Sequence, residues 1–160
     1  LLISSQNALS EPRPKEAVAE ATHYTSSMFD WFRKKPPPLT GAPPVRRVKT
    51  YSAQSGYVYQ YYYQGYRPAS RGRPEGTEYV FDVSSDRKTS APVSVFVNDE
   101  AVAAWQNGHG RTLNSTERYA VAKMALFQAF DERPAPESMR EDITVRGEDV
   151  EAFLATLDIE

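Results

Sequence analysis

Apolar and polar residues alternate along residues 57–97, and beyond that apolar positions recur every three or four residues. Strict alternation puts residues i and i+2 on one face of a strand. In "GYVYQYYYQGY" the odd positions are Tyr57, Tyr59, Tyr61 and Tyr63, and the even ones are Val58, Gln60, Tyr62 and Gln64. In "TEYVFDVS" the odd positions are Tyr79, Phe81 and Val83, and in "PVSVFV" they are Val93, Val95 and Val97. Three strands thus share one apolar face, and most of the tyrosines belong to a core. The other face carries Glu78, Val80, Asp82, Ser94 and Phe96, a mixed and partly wet surface. Tyr62 points to that second face, toward Val80 and Phe96. "VRRVKTYS" reads as a preceding strand. Pro68, Gly72, Pro74 and Gly76 mark a long turn, and "SDRKTSAP" marks another. Such short connections predict an antiparallel meander of three to five strands.

The second half has helical spacing. Asn98 can cap a short helix through Val102 and Trp105 that ends at "NGHG". Asn114 and Glu117 have the spacing of a capping box before "ERYAVAKMALFQAFDE", which places Tyr119, Ala122, Leu126 and Phe130 on one face. Pro134 and Pro136 end that helix, and a short strand at "DITV" follows. In "GEDVEAFLATLD" the residues Val150, Phe153, Leu154 and Leu157 follow helical spacing. Two or three C-terminal helices are the available cover for the apolar sheet face. The predicted class is α+β.

Residues 1–44 read differently from residues 45–160, which form the predicted single domain. Ala17, Ala21, Tyr24, Met28 and Phe32 make one helical stripe, and five prolines between Pro36 and Pro44 favour extended polyproline II. This extension is expected to be dispensable for folding and to act as a spacer or docking strip. "MFDWFRKK" from Met28 reads like a translation start, so residues 1–27 are expected to be upstream translation or a fragment of something longer. Phe29, Trp31 and Phe32 beside a basic cluster also suit weak interfacial contact with a membrane. No apolar run reaches the ~18 residues of a membrane span.

Charge and composition narrow the chemistry. The 160 residues include no cysteine, which removes disulfides and thiolate nucleophiles. The net charge is -2, yet every charge between Val45 and Gly72 is positive: Arg46, Arg47, Lys49, Arg67 and Arg71. From Asp131 onward acids dominate. A basic surface for an anionic partner is one expectation from this asymmetry. No signal peptide or catalytic signature is present, so no cofactor is expected, and a cytoplasmic location is the default. Of the two histidines, His23 lies in the N-terminal extension and His109 sits between two glycines, with Arg111 nearby. An unpaired histidine is a weak basis for an enzyme.

"RPASR" at Arg67–Arg71 and "DVSSDR" at Asp82–Arg87 together resemble pieces of a PilZ domain. The resemblance implies a cyclic diguanylate ligand and a six-stranded barrel. It departs at Arg87, where that family has glycine. The helical second half also does not suit a barrel.

Three functions follow, in order of expectation. The first is a non-enzymatic binding or assembly module for a protein partner. The second is nucleic-acid or nucleotide binding, with Arg67, Arg71 and Arg73 on phosphates and Tyr62 stacking on a base. The third is an enzyme using His109.

Overall fold

The computed structural model describes residues 36–72 and 74–160. The expected helix through Met28, the interfacial residues Phe29, Trp31 and Phe32, His23 and Arg73 lie outside the described residues. The compact unit runs from Pro37 to Glu160. Its elements are β1 (Lys49–Ser52), β2 (Val58–Ser70), β3 (Glu75–Ser84), β4 (Ala91–Asn98), α1 (Asp99–His109), α2 (Ser115–Glu132), a 3-10 turn (Pro136–Arg140), β5 (Ile143–Val145) and α3 (Gly147–Thr156). The class is α+β.

The five strands lie in sequence order, β1-β2-β3-β4-β5. The first four pair antiparallel, as a meander should. The fifth does not: β5 runs parallel to β4, with Val95 opposite Ile143. The sheet is therefore mixed, which corrects the all-antiparallel expectation. A parallel pair needs a crossover of a dozen residues or more. The two helices and the 3-10 turn between β4 and β5 supply it.

The odd face is the core face. Tyr59, Tyr61, Tyr79, Phe81, Val83, Val93, Val95 and Val97 are buried in one cluster with Val121, Leu126, Phe130, Val150 and Leu154. Ring stacking joins strand to helix: Tyr51 lies 4.4 Å from Phe127, and Tyr59 lies 4.3 Å from Phe130, both nearly parallel. The hairpin between β1 and β2 is also tied to the end of α2. Tyr51 Oη donates to Asp131 at 2.8 Å, and Ser55 Oγ donates to the Phe130 carbonyl at 2.8 Å.

Tyr57 departs from the expected pattern. It precedes β2, which begins one residue later, and it is 40% exposed and absent from the core cluster. The even face departs too. Val80 and Phe96 are buried rather than wet, and the Arg71 guanidinium lies 5.5 Å from the Phe96 ring centre.

Helix ends follow their local sequence. The Asn98 side chain accepts from the Glu100 amide, and Gly110 closes α1 in the left-handed region. Asn114 and Glu117 form the expected capping box at α2.

The long turn is shorter than its prolines and glycines suggest. Pro68 pairs with Thr77 and Gly76 pairs with Asn98, so both lie inside strands, and β2 and β3 extend almost to Arg71 and Pro74. β2 is bulged instead. Its pairing with β3 shifts between Tyr63 and Gly65, and Gly65 takes φ 127°. The inserted residue exchanges the faces beyond it. Tyr66 therefore faces Tyr79 on the core side, while Arg67 faces Glu78 on the other.

The Pro-rich stretch is fixed to this edge at Thr40. The Thr40 amide donates to the Tyr66 carbonyl at 2.9 Å, and the Tyr66 amide donates to the Thr40 carbonyl at 2.8 Å. A chain starting at Pro37 is expected to keep the thermal midpoint of the full chain. One starting at Val45 is expected to lose about 1–3 kcal/mol, the worth of two backbone hydrogen bonds and their surroundings. Equal midpoints for the two truncations would show that the Thr40 bridge contributes nothing.

Candidate functional site

The tyrosine strand and the start of α2 enclose an open hollow of about 590 Å³, lined by Tyr63, Tyr66, Tyr79 and Tyr119 with Gly41, Thr77, Ser115, Thr116 and Arg118. Each ring arrives by a different route. Tyr63 belongs to the odd face of β2, and Tyr66 joins it through the bulge. Tyr79 stands opposite Tyr66 on β3. Tyr119 comes from the capped first turns of α2, where Glu117 is held by Arg111 at 2.8 and 3.1 Å. The ring centres of Tyr63 and Tyr119 are 4.7 Å apart, and those of Tyr66 and Tyr79 are 5.9 Å apart. Gly41 forms part of the wall. With φ 79°, its Cα packs so closely on Tyr66 that a Cβ would meet the ring at 2.5 Å.

A second hollow of about 290 Å³ shares Tyr63 and Tyr119 with the first and is completed by Tyr61, Tyr62, Pro43, Pro44, Val45, Arg47 and Lys49. The two adjoin at these shared rings and together are termed the tyrosine groove, with Gly41, Pro43, Pro44 and Val45 at its border.

Burial pushes the hydroxyls of Tyr61 and Tyr79 up to about 12 and that of Tyr63 well above its ordinary value. For Tyr61 and Tyr63 neighbouring tyrosines add to the rise, whereas at Tyr79 the Arg118 charge works against it. An unfolded tyrosine ionises near pH ~10. Because the folded values are raised, the stability linked to these groups is fully present below about pH 10 and is lost as pH climbs toward the folded values. Absorbance titration should therefore show Tyr61 and Tyr79 ionising only near pH 12. Ionisation of every tyrosine near pH ~10 in a chain that is still folded would mean that water reaches these rings freely.

The residues singled out from sequence do not converge. Tyr62 sits across from Asp82, a diagonal step from Val80 but four positions along the sheet from Phe96, and its ring lies under the Arg46 guanidinium at 4.0 Å. Arg46 also donates to its hydroxyl. Arg67 lies on β2 and donates to both Glu78 oxygens at 3.1 and 3.3 Å, and Ser94 Oγ donates to the same carboxylate at 2.6 Å. Burial alone would raise the Glu78 pKa, but those hydrogen bonds and the charges of Arg67 and Arg71 hold it below the usual value. Arg71 pairs with Asp142. Both described arginines of the basic turn thus face carboxylates of the chain itself. Four β3 positions separate the partners of Tyr62 and Arg67, or about 13 Å at strand rise.

His109 stacks on Trp105 at 4.2 Å and places Nε2 2.9 Å from Glu151, which ties the end of α1 to α3. Arg111 lies 5.3 Å from the Trp105 ring centre, and its Nε donates to the Glu160 carbonyl at 2.7 Å. The two residues share a helix-end cluster, with no open hollow beside His109 among the described cavities.

The turn from Asp82 to Arg87 is held by its own side chains. Asp86 accepts from the amides of Lys88 and Thr89 at 2.8 Å, which together with the Thr89 and Ser84 hydroxyls holds its carboxyl far below the usual range. Arg87 takes φ 65°, a conformation that suits glycine. The five-stranded mixed sheet is not the six-stranded barrel that the PilZ resemblance implies.

The tyrosine groove was missed in the sequence because Tyr66 lies on the wrong parity for the core face. Gly65 inside a strand was the available signal, since an isolated strand glycine suggests a bulge. No helix among the described residues is long and apolar enough to cross a membrane. Comparison with family models, curated proteins and solved structures finds no match to this chain.

Proposed function

We propose that the chain is a non-enzymatic binding module whose contact surface is the tyrosine groove. Helices α1 to α3 serve in this reading as the cover of one sheet face, and the Pro-rich stretch serves as a wall of the groove. The observation that carries the proposal is the open hollow with four tyrosines in its lining. Aromatic rings with polar tips are well suited to recognition, because they bring a large apolar area with few rotatable bonds. The hydroxyls of Thr77, Ser115 and Thr116 and the Arg118 guanidinium supply the few polar groups that orient a ligand.

The test is a titration followed by nuclear magnetic resonance of ring-labelled tyrosines. The probes are oligo-dT, oligo-rU, a β-linked glucose oligosaccharide and a Pro-rich peptide. Saturable shifts of the Tyr63, Tyr66 and Tyr119 ring signals with at least one probe are expected. Silence of these three rings with every probe would remove the groove as a binding surface.

A further inference from the structure

We propose that the tyrosine groove binds single-stranded nucleic acid, with bases on the rings and phosphates on a rim formed by Arg47, Lys49 and Arg118. The inference rests on the reading of the groove as a binding surface and names its ligand.

Charge carries it first. Arg118 lines the larger hollow, and Arg47 and Lys49 line the smaller one. Among the described residues, neither lining contains an Asp or Glu. The ion pairs of the described residues involve Arg67, Arg71, His109 and Arg111, and none involves Arg47, Lys49 or Arg118. This differs from the basic turn, where Arg67 and Arg71 are already matched by carboxylates; Arg118 meets only neutral acceptors, the Leu113 carbonyl at 3.4 Å and Gln106 Oε1 at 3.3 Å. Lys123, one turn along α2 from Tyr119, lies over the Phe127 ring at 5.6 Å, and burial and then the Lys49 charge push its pKa down.

The rings carry it second. A cage for a cation would need aromatic faces without a positive rim, and a basic rim repels such a ligand. A neutral sugar would stack on tyrosine but would leave the cations unused. A nucleotide strand uses both, because every base has a π face and every linkage a phosphate. Tyr66 is 40% exposed, so its ring is accessible to a base. The two hollows adjoin through Tyr63 and Tyr119, and each has its own cation. That arrangement suits successive nucleotides better than one.

Fluorescence anisotropy of short labelled oligo-dT and oligo-rU with the full chain tests this. Binding is expected at low salt, with the logarithm of affinity falling by about 0.7 per phosphate contact for each tenfold rise in salt. Tyr66→Ala should weaken binding about tenfold, while Tyr66→Phe should retain it, since stacking needs the ring and not the hydroxyl. Arg47→Gln and Lys49→Gln should each reduce the salt slope by about 0.7. Arg67→Gln and Arg71→Gln should change neither quantity. Arg47, Lys49 and Arg71 are exposed, so their glutamine variants should keep the melting temperature. Arg67→Gln removes a half-buried partner of Glu78 and Tyr66→Ala removes a ring packed on Gly41, so these two should lower it, and their binding is measured well below the melt. No anisotropy change at low salt would overturn the proposal, as would a Tyr66→Ala variant that binds like the parent. Equal affinity for free AMP and for the oligonucleotides would also overturn it, in favour of a mononucleotide. If the oligonucleotides fail but the tyrosine rings still respond to the oligosaccharide or the Pro-rich peptide, the ligand assignment falls and the binding module stands. Silence with every probe removes both.

Discussion

Phe81→Ala is expected to destabilise the domain by about 3–5 kcal/mol, a large part of the ~5–15 kcal/mol that holds a domain together. Phe81 is completely buried, and it meets Tyr63 at 5.3 Å, Tyr119 at 6.1 Å and Tyr61 at 6.4 Å between ring centres. Removing it takes away buried apolar area and leaves a cavity that rigid aromatic neighbours cannot fill. Tyr59→Ala should cost a similar amount, because Tyr59 is equally buried and stacks on Phe130. Tyr59→Phe should cost almost nothing, since the Tyr59 hydroxyl is buried without a hydrogen-bond partner. Chemical denaturation measures all three. A loss below about 1 kcal/mol for Phe81→Ala would place the odd residues on the outside and exchange the sheet faces.

Gly76→Ala should be damaging as well, at about 1–3 kcal/mol. Gly76 lies within β3, where a Cβ would run into the Val97 carbonyl of the neighbouring strand and come within 2.7 Å of the Phe96 ring. The ring is buried and the carbonyl belongs to the ladder, so neither can yield cheaply. The double variant Gly76→Ala with Phe96→Leu should recover part of the loss relative to the sum of the two single changes, because the smaller side chain relieves one of the two collisions. Strict additivity in the denaturation data would show that the ring and the added methyl do not meet.

Much of the fold is written locally. Alternation in residues 77–83 and 92–97 identifies the buried face correctly, because a strand's side-chain period is fixed by backbone geometry. Asn98, and Asn114 with Glu117, start their helices as their side chains dictate, for capping is settled within a few residues. Helical spacing likewise picks out Val150, Phe153 and Leu154, which are buried, but it also picks out Leu157, which is exposed because the helix ends at it. Pro68 and Gly76 mislead because turn-forming residues are also tolerated in strands at edges, bulges and close approaches.

The candidate site is another matter. Arg67 and Arg71 look like a free basic pair in the sequence, but Glu78 and Asp142 face them, and Asp142 is far away in the chain. The parallel pairing of β5 depends on where two helices return the chain. Tyr66 reaches the groove only because the β2–β3 register slips by one residue at Gly65, and Gly41 reaches Tyr66 only because Thr40 pairs across the sheet edge. The sequence alone determines which residues can form strands, helices and caps, since those preferences act between near neighbours. Which tyrosines meet, and which cations keep no carboxylate partner among the described residues, was decided by the tertiary structure, because strand register and long-range pairing are set by the packing of the whole domain.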